Sequence, residues 1–243
     1  MRLKKTKFLK GDWILIILAS FTGVSFFFFA QYSAIKMIGP FLPALLICLI
    51  APVVIVILAL VFFKENLTLI KILGFIIATL GGFLLKSGGN LKELTLEDPD
   101  LIGYLFALIT PFLWAIYSTL TEKTAKSSSD IVILKYNAYF GTFELLIFVI
   151  INNELFFFVS NSFNVILILC ALYIGILCYI LGYFIWQNSQ SNLKSSKVTS
   201  FLYAEPFLTL IFSILLQRSE TIVGWNIIGG IIVQVAVLTI NYK

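Results

Sequence analysis

Apolar residues run almost unbroken along this chain, in stretches of about twenty separated by short polar breaks, the length a helix needs to cross a bilayer. Eight spans are predicted, at 13–33, 41–63, 67–86, 101–121, 131–151, 163–186, 198–216 and 222–241. The first follows Arg2, Lys4, Lys5, Lys7 and Lys10, as a signal peptide would. Its apolar part is too long for one, and no small-residue cleavage site follows, so it reads as an uncleaved span. The one long polar interruption runs from Ser87-Gly88-Gly89-Asn90 to Glu97-Asp98-Pro99, joins turn formers to acidic residues, and divides three spans from five.

Within this pattern a unit recurs. Ala51-Pro52, then Phe62-Phe63-Lys64-Glu65, then Gly74 is echoed by Glu205-Pro206, then Leu216-Gln217-Arg218-Ser219-Glu220, then Gly229. Each copy is an apolar run with an early proline, a charged hairpin with one glutamate, and a second apolar run with a glycine nine positions on. The basic residues orient the spans, because loops rich in Lys and Arg stay in the cytoplasm. An inside amino terminus places 13 basic residues at or near the inner face and leaves four, Lys36, Lys86, Lys92 and Arg218, outside. Eight spans then put both termini in the cytoplasm, with Glu65 facing in and Glu220 facing out. The copies start five crossings apart, and an odd number of crossings makes them an inverted repeat, the usual framework of an alternating-access carrier.

Composition fixes the solvent. Of 243 residues, 60% are hydrophobic and 12% charged, against about half and a quarter in soluble domains. The partner implied is a lipid bilayer. The net charge of +5 is not gathered into a groove with exposed aromatics, so nucleic acid is not an expected partner. Cys48, Cys170 and Cys178 all lie inside apolar runs and imply no disulfide framework. With no histidine and no close cysteine pair, the common metal ligand sets are missing, and no cofactor is expected.

The chain carries the segment Phe29-Ala30-Gln31-Tyr32-Ser33-Ala34-Ile35-Lys36, then the proline-containing span, then Phe63-Lys64-Glu65, then Ile72-Leu73-Gly74 through Gly81-Gly82. Its second half carries Gly103-Tyr104 through Trp114-Ala115-Ile116-Tyr117-Ser118, then Gly182-Tyr183 to Trp186, Glu205-Pro206 and Glu220 to Gly229-Gly230. The first set resembles the closing three spans of an EamA repeat of the drug/metabolite transporter superfamily, and the second set is similar to the opening span and the last three spans of another. The resemblance implies a partial first repeat over 1–88, a polar external linker over 89–100 and a second repeat over 101–243. Members usually carry five plus five spans, whereas this chain has three plus five. Either two leading helices are missing, or a shorter transporter closes its bundle as a homodimer. The usual Gly-Glu of the hairpins is also replaced, by Lys64-Glu65 and Ser219-Glu220.

Candidate pathway residues are the polar and aromatic groups deep in the spans. Glu144 and Glu205 are carboxylates where charge costs about 2.5 to 3.5 kcal/mol on insertion scales, so each is expected to face a cavity, pair, or be protonated. Pro206 donates no backbone hydrogen bond and frees the carbonyl near Leu202. Asn137 and Gly141 share the face of Glu144 at helical spacing, as pore lining or as a helix contact. Trp114 and Tyr117 lie three apart on one face, and Tyr179, Tyr183 and Trp186 follow the i, i+4, i+7 spacing, a stripe able to stack on a flat or cationic cargo. Aromatic belts and plain core packing explain the same residues. Glu65, Glu220, Pro52, Pro206, Gly74 and Gly229 read as structural, and Gly74, Gly81 and Gly82 as sites of close helix approach.

The sequence therefore points to an all-α polytopic membrane protein of about eight helices with an inverted repeat. Its expected function is to carry small organic solutes by alternating access, with metabolite or drug export favoured by what the resemblance implies. Proton coupling through Glu205 or Glu144 is open. A nucleotide-sugar-type carrier and an inactive fragment or assembly subunit are the alternatives. An intramembrane enzyme is disfavoured, since isolated carboxylates supply no nucleophile and base of a usual kind.

Overall fold

The computed structural model describes residues 10–89, 101–205, 208, 211, 215 and 223–241. Every regular element among them is helical. Inside a bilayer no water reaches backbone amides, so an apolar run of this length must close its own hydrogen bonds, which a helix does. The elements are α1 (Gly11–Ile38), α2 (Phe41–Phe63), α3 (Leu69–Ser87), α4 (Leu101–Thr124), α5 (Asp130–Ile151), α6 (Leu155–Asn161), α7 (Val165–Asn192), α8 (Ser195–Ser200) and α9 (Gly224–Asn241). Six of these, α1, α2, α4, α5, α7 and α9, are long and apolar enough to cross a membrane. α3, at 19 residues, is about 28 Å long, close to the hydrocarbon thickness. The protein is an integral membrane protein of the all-α polytopic class.

Several details differ from the sequence expectation. α1 runs on to Ile38 and carries a π-helical turn over Phe21–Ser25. α7 extends to Asn192 instead of ending at residue 186, because Gln187 and Gln190 are turned inward while the exposed Asn188 and Ser191 bond to Asp130, so the polar stretch does not stop the helix. Between α5 and α7 the chain forms the short helix α6, bounded by Asn153 at φ 57° and by Asn164, whose side chain accepts the α7 N–H groups of Ile166 and Leu167. The segment 198–216 starts within α8 and passes through a 3₁₀ turn at Phe201–Tyr203. Most of the rest of that segment lies outside the described residues, as do Pro206 and Glu220. α2 ends where Lys64 turns left-handed at φ 54°, and α3 ends at Gly88, φ 57°.

The chain forms two compact units, Met1–Phe29 with Ile116–Leu193 and Ala30–Ala115 with Lys194–Lys243. In the second, α9 lies along α3 and is seated by glycine. A methyl group on Gly229 would run into the Leu85 backbone and stand 2.7 Å from the Gly81 carbonyl oxygen, while one on Gly74 would stand 2.6 Å from Ile240. Phe75, Ala78, Val233, Ala236, Val237 and Ile240 fill this contact, joined by Val56 of α2 and by Tyr203. Asn226 closes its end, donating to the Leu85 carbonyl at 2.8 Å.

The first unit is built around the π turn of α1. Val24 meets α5 at Gly141, where a methyl group would come within 2.6 Å of Val24 Cβ, and the Tyr117 ring lies over the bare backbone of Gly23. Phe148 of α5 stacks with Phe26 and Phe29 at 5.9 and 4.8 Å between ring centres. α7 behaves oppositely along its length. Residues 165–182 have no buried side chain, and its buried face appears only at Tyr183, Gln187 and Gln190.

Candidate functional site

Glu144 sits half-buried on α5, its carboxylate gripped by two hydroxyls of α1, one just before the π turn and one at its last residue. Ser20 Oγ donates to Oε1 at 2.9 Å and Ser25 Oγ to Oε2 at 2.7 Å. Both serines are fully buried. Each also has a backbone acceptor on its own helix, Ile17 O at 2.8 Å for Ser20 and Phe21 O at 3.3 Å for Ser25. A serine hydroxyl has one proton but can also accept. An ionised Glu144 can therefore take both serine protons, whereas a protonated Glu144 can donate to one serine while that serine turns its proton back to its own helix. The pair supplies partners for either form, which is what a carboxyl group in an apolar span requires. π turns occur often at functional sites because they break the regular backbone ladder.

Around Tyr117 lies a second polar group, still within the first unit. Gln187 Nε2 donates to Tyr117 Oη at 2.6 Å. The Asn137 side chain approaches the same hydroxyl without reaching hydrogen-bonding geometry, so both ends of its amide are unpaired. Tyr183 stands 5.4 Å from Tyr117 between ring centres and donates to the Gly23 carbonyl at 2.9 Å. Trp186 donates to Ser118 Oγ at 3.1 Å. Tyr117 and Asn137 have no exposed surface, and Gln187 and Gln190 are 3% and 2% exposed. Gln187 Oε1 and both ends of Gln190 also have no partner. An unpaired buried polar group costs about 1 to 3 kcal/mol, so several together call for an explanation.

The remaining candidates lie in the second unit. Glu205 is exposed just after the 3₁₀ turn, with Cys48 Sγ donating to Oε2 at 3.7 Å. Two residues before it, Tyr203 shares a 2.9 Å hydrogen bond with Thr79. Trp114 is half-buried in the part of α4 that belongs to this unit. Pro52 lies inside α2. Glu65 reaches from the α2–α3 hairpin to the start of α8, accepting the N–H of Ser195 at 2.7 Å and that of Ser196 at 3.4 Å. The first amides of a helix are the ones its own hydrogen-bond ladder does not use, and a carboxylate also suits the positive end of a helix dipole. Lys71 donates to Ser196 Oγ at 3.4 Å and completes this lock.

Sequence reasoning missed four of these residues. Ser20 and Ser25 are inconspicuous small residues in a phenylalanine-rich run, and no local spacing pairs them with a glutamate some 120 positions away. Gln187 and Gln190 stood in a polar stretch that reads as the loop after the sixth span. The signal that could have found them is spacing, since Tyr183, Gln187 and Gln190 continue one helical face at i, i+4 and i+7.

Comparison with known proteins agrees with this architecture. A solved crystal structure superposes with a TM-score of 0.72 at 17% identity, covering 93% of this chain and 74% of that one, and so shares the fold. An uncharacterized transporter of Archaeoglobus fulgidus is 26% identical over 222 residues, 91% of this chain and 74% of the relative. An uncharacterized transporter of Clostridium kluyveri is 25% identical over 180 residues, 74% of this chain and 56% of the relative, so this chain spans only about half of that protein's length. The model of the EamA-like transporter family matches residues 1–87 and 101–242, which is nearly the whole chain, and the protein belongs to that family.

Proposed function

We propose that the protein carries small organic solutes across the cytoplasmic membrane by alternating access, exporting metabolites or drugs, with both termini in the cytoplasm. Transport as such is what its relatives are named for. The observation that carries the finer reading is the Glu144 carboxylate held by Ser20 and Ser25 between apolar helices. A carboxyl group kept in a span, where a charge costs about 2.5 to 3.5 kcal/mol, calls for a use. The serine pair can partner Glu144 with or without its proton, so Glu144 is the residue assigned to proton coupling. Glu205, exposed beside Cys48, is the second candidate.

The test is uptake into proteoliposomes with and without an imposed pH gradient. Glu144→Gln keeps the size of the side chain and much of its hydrogen bonding but removes the exchangeable charge. The expected outcome is that gradient-driven accumulation falls at least about tenfold, equivalent to about 1.4 kcal/mol of lost coupling, while exchange of solute down its own gradient persists. Accumulation that still follows the pH gradient in both Glu144→Gln and Glu205→Gln would remove these carboxylates from the coupling role.

A further inference from the structure

α7 is inverted relative to a helix of a soluble protein. Apart from the half-buried Gly175 and Tyr179, its residues 165–182 are exposed, and the face it turns inward is polar: Tyr183, Gln187 and Gln190, with the buried Tyr179 hydroxyl one turn before them. In a bilayer the apolar part meets lipid, and the polar face is placed where lipid cannot reach it. Tyr183 is satisfied by the Gly23 carbonyl, but what the two glutamines meet does not satisfy them. One end of the Gln187 amide meets the Tyr117 hydroxyl, and either orientation of the amide leaves its other end unpaired. Gln190 follows one turn along α7, about 4.5 Å on. Asn137 comes to the same hydroxyl from α5. Asn137, Gln187 and Gln190 are thus three primary amides more than nine-tenths buried, with five unpaired ends.

We infer that Tyr117, Asn137, Gln187 and Gln190 form an occluded recognition site for a small uncharged solute that presents a donor and an acceptor side by side, as a nucleobase or a primary carboxamide does. The inference rests on the solute-carrier reading and specifies its cargo. An amide side chain offers an N–H and a carbonyl in one plane and can bind such an edge in a bidentate way. None of the four side chains carries a charge. A solute with a net charge would enter this buried place without a counter-charge from them, at large cost, whereas a neutral one would pair the amides. Glu144, seven residues from Asn137 on α5, is engaged by Ser20 and Ser25.

The test is thermal unfolding of the purified protein in nanodiscs, with uracil, adenine and nicotinamide as neutral probes and glutamate, lysine and tetraphenylphosphonium as charged ones, each at millimolar concentration. The expected result is a rise in Tm of several degrees with at least one neutral probe and none with the charged probes. Gln190→Leu and Asn137→Leu are expected to raise the Tm of the ligand-free protein, because each removes unpaired buried polar ends, and to abolish the probe response. That pairing of higher stability with lost binding separates a recognition site from amides that merely hold structural water. The inference is overturned if no neutral probe shifts the Tm, if only charged probes do, or if the shift survives in both variants. Proteoliposome uptake separates it from the carrier reading. Uptake of charged solutes alone defeats the cargo class, whereas probe binding with no uptake of any solute defeats the carrier and leaves the site.

Discussion

The contact between α3 and α9 and the meeting of α1, α5 and α7 solve the same problem by different chemistry. Helices in lipid gain nothing from hiding apolar surface from one another, so they associate through close van der Waals approach or through polar groups. α3 and α9 take the first route, with Gly74, Gly81 and Gly229 removing the side chains that would hold the backbones apart and Asn226 as the one polar link described at their end. The first unit also uses glycine, at Gly23 and Gly141, but around them it gathers a carboxylate, two serines, a tyrosine hydroxyl and unpaired amides. A contact made of backbone against backbone has one arrangement. A contact made of partly paired polar groups can exchange partners, which is what the proposed proton and solute sites require.

The largest effect is expected at Gly229. Gly229→Ala places a methyl group against the Leu85 backbone and 2.7 Å from the Gly81 oxygen, where no side chain can swing aside. A loss of about 3 kcal/mol, the upper end of overpacking costs, is expected, measured as reversible unfolding in detergent. Gly175→Ala is the control, since nothing lies within 4 Å of that position. There the change should be neutral or stabilising by up to about 1 kcal/mol, the ordinary gain of replacing a helical glycine. Equal losses at both positions would show that glycine matters on α9 for reasons other than contact.

A smaller effect is expected at Gly23, whose added methyl would press on the Tyr117 ring. A ring can shift where a backbone cannot, so Gly23→Ala should cost about 1 to 2 kcal/mol. The displaced ring should also loosen the Tyr117 to Gln187 hydrogen bond, and loss of transport out of proportion to the loss of stability is the expected sign. Unchanged transport would separate the π turn from the amide group. The smallest effect is expected at Glu65, the lock of the second unit. Glu65→Ala leaves the N–H groups of Ser195 and Ser196 without their carboxylate and should cost about 1 kcal/mol, as loss of a helix cap does. Faster amide exchange over α8 alone would be its local signature.

Part of this was legible in the residues. The apolar spans follow from composition and length, and the helices at 41–63, 131–151 and 222–241 lie close to where hydropathy places them. The shared face of Asn137, Gly141 and Glu144 follows from helical spacing, which is a local rule. The fine position of α7 was not legible, because Gln187 to Asn192 has the composition of a loop. Whether such a stretch ends a helix depends on whether its polar side chains find an interior to face, and that interior is made by α4 and α5.

The sequence by itself determined that this chain lives in a bilayer as a set of helices, because so apolar a composition has no other stable solvent and hydrocarbon permits few other backbones. It also set which residues are scarce enough in such a setting to demand partners. Only the tertiary structure decided the partners: Ser20 and Ser25 for Glu144, the α8 amides for Glu65, Cys48 for Glu205, and Tyr117 for Gln187. Propensity and periodicity act over a few residues, whereas these pairs join positions 70 to 157 apart in the chain. They come within reach only after the helices have packed.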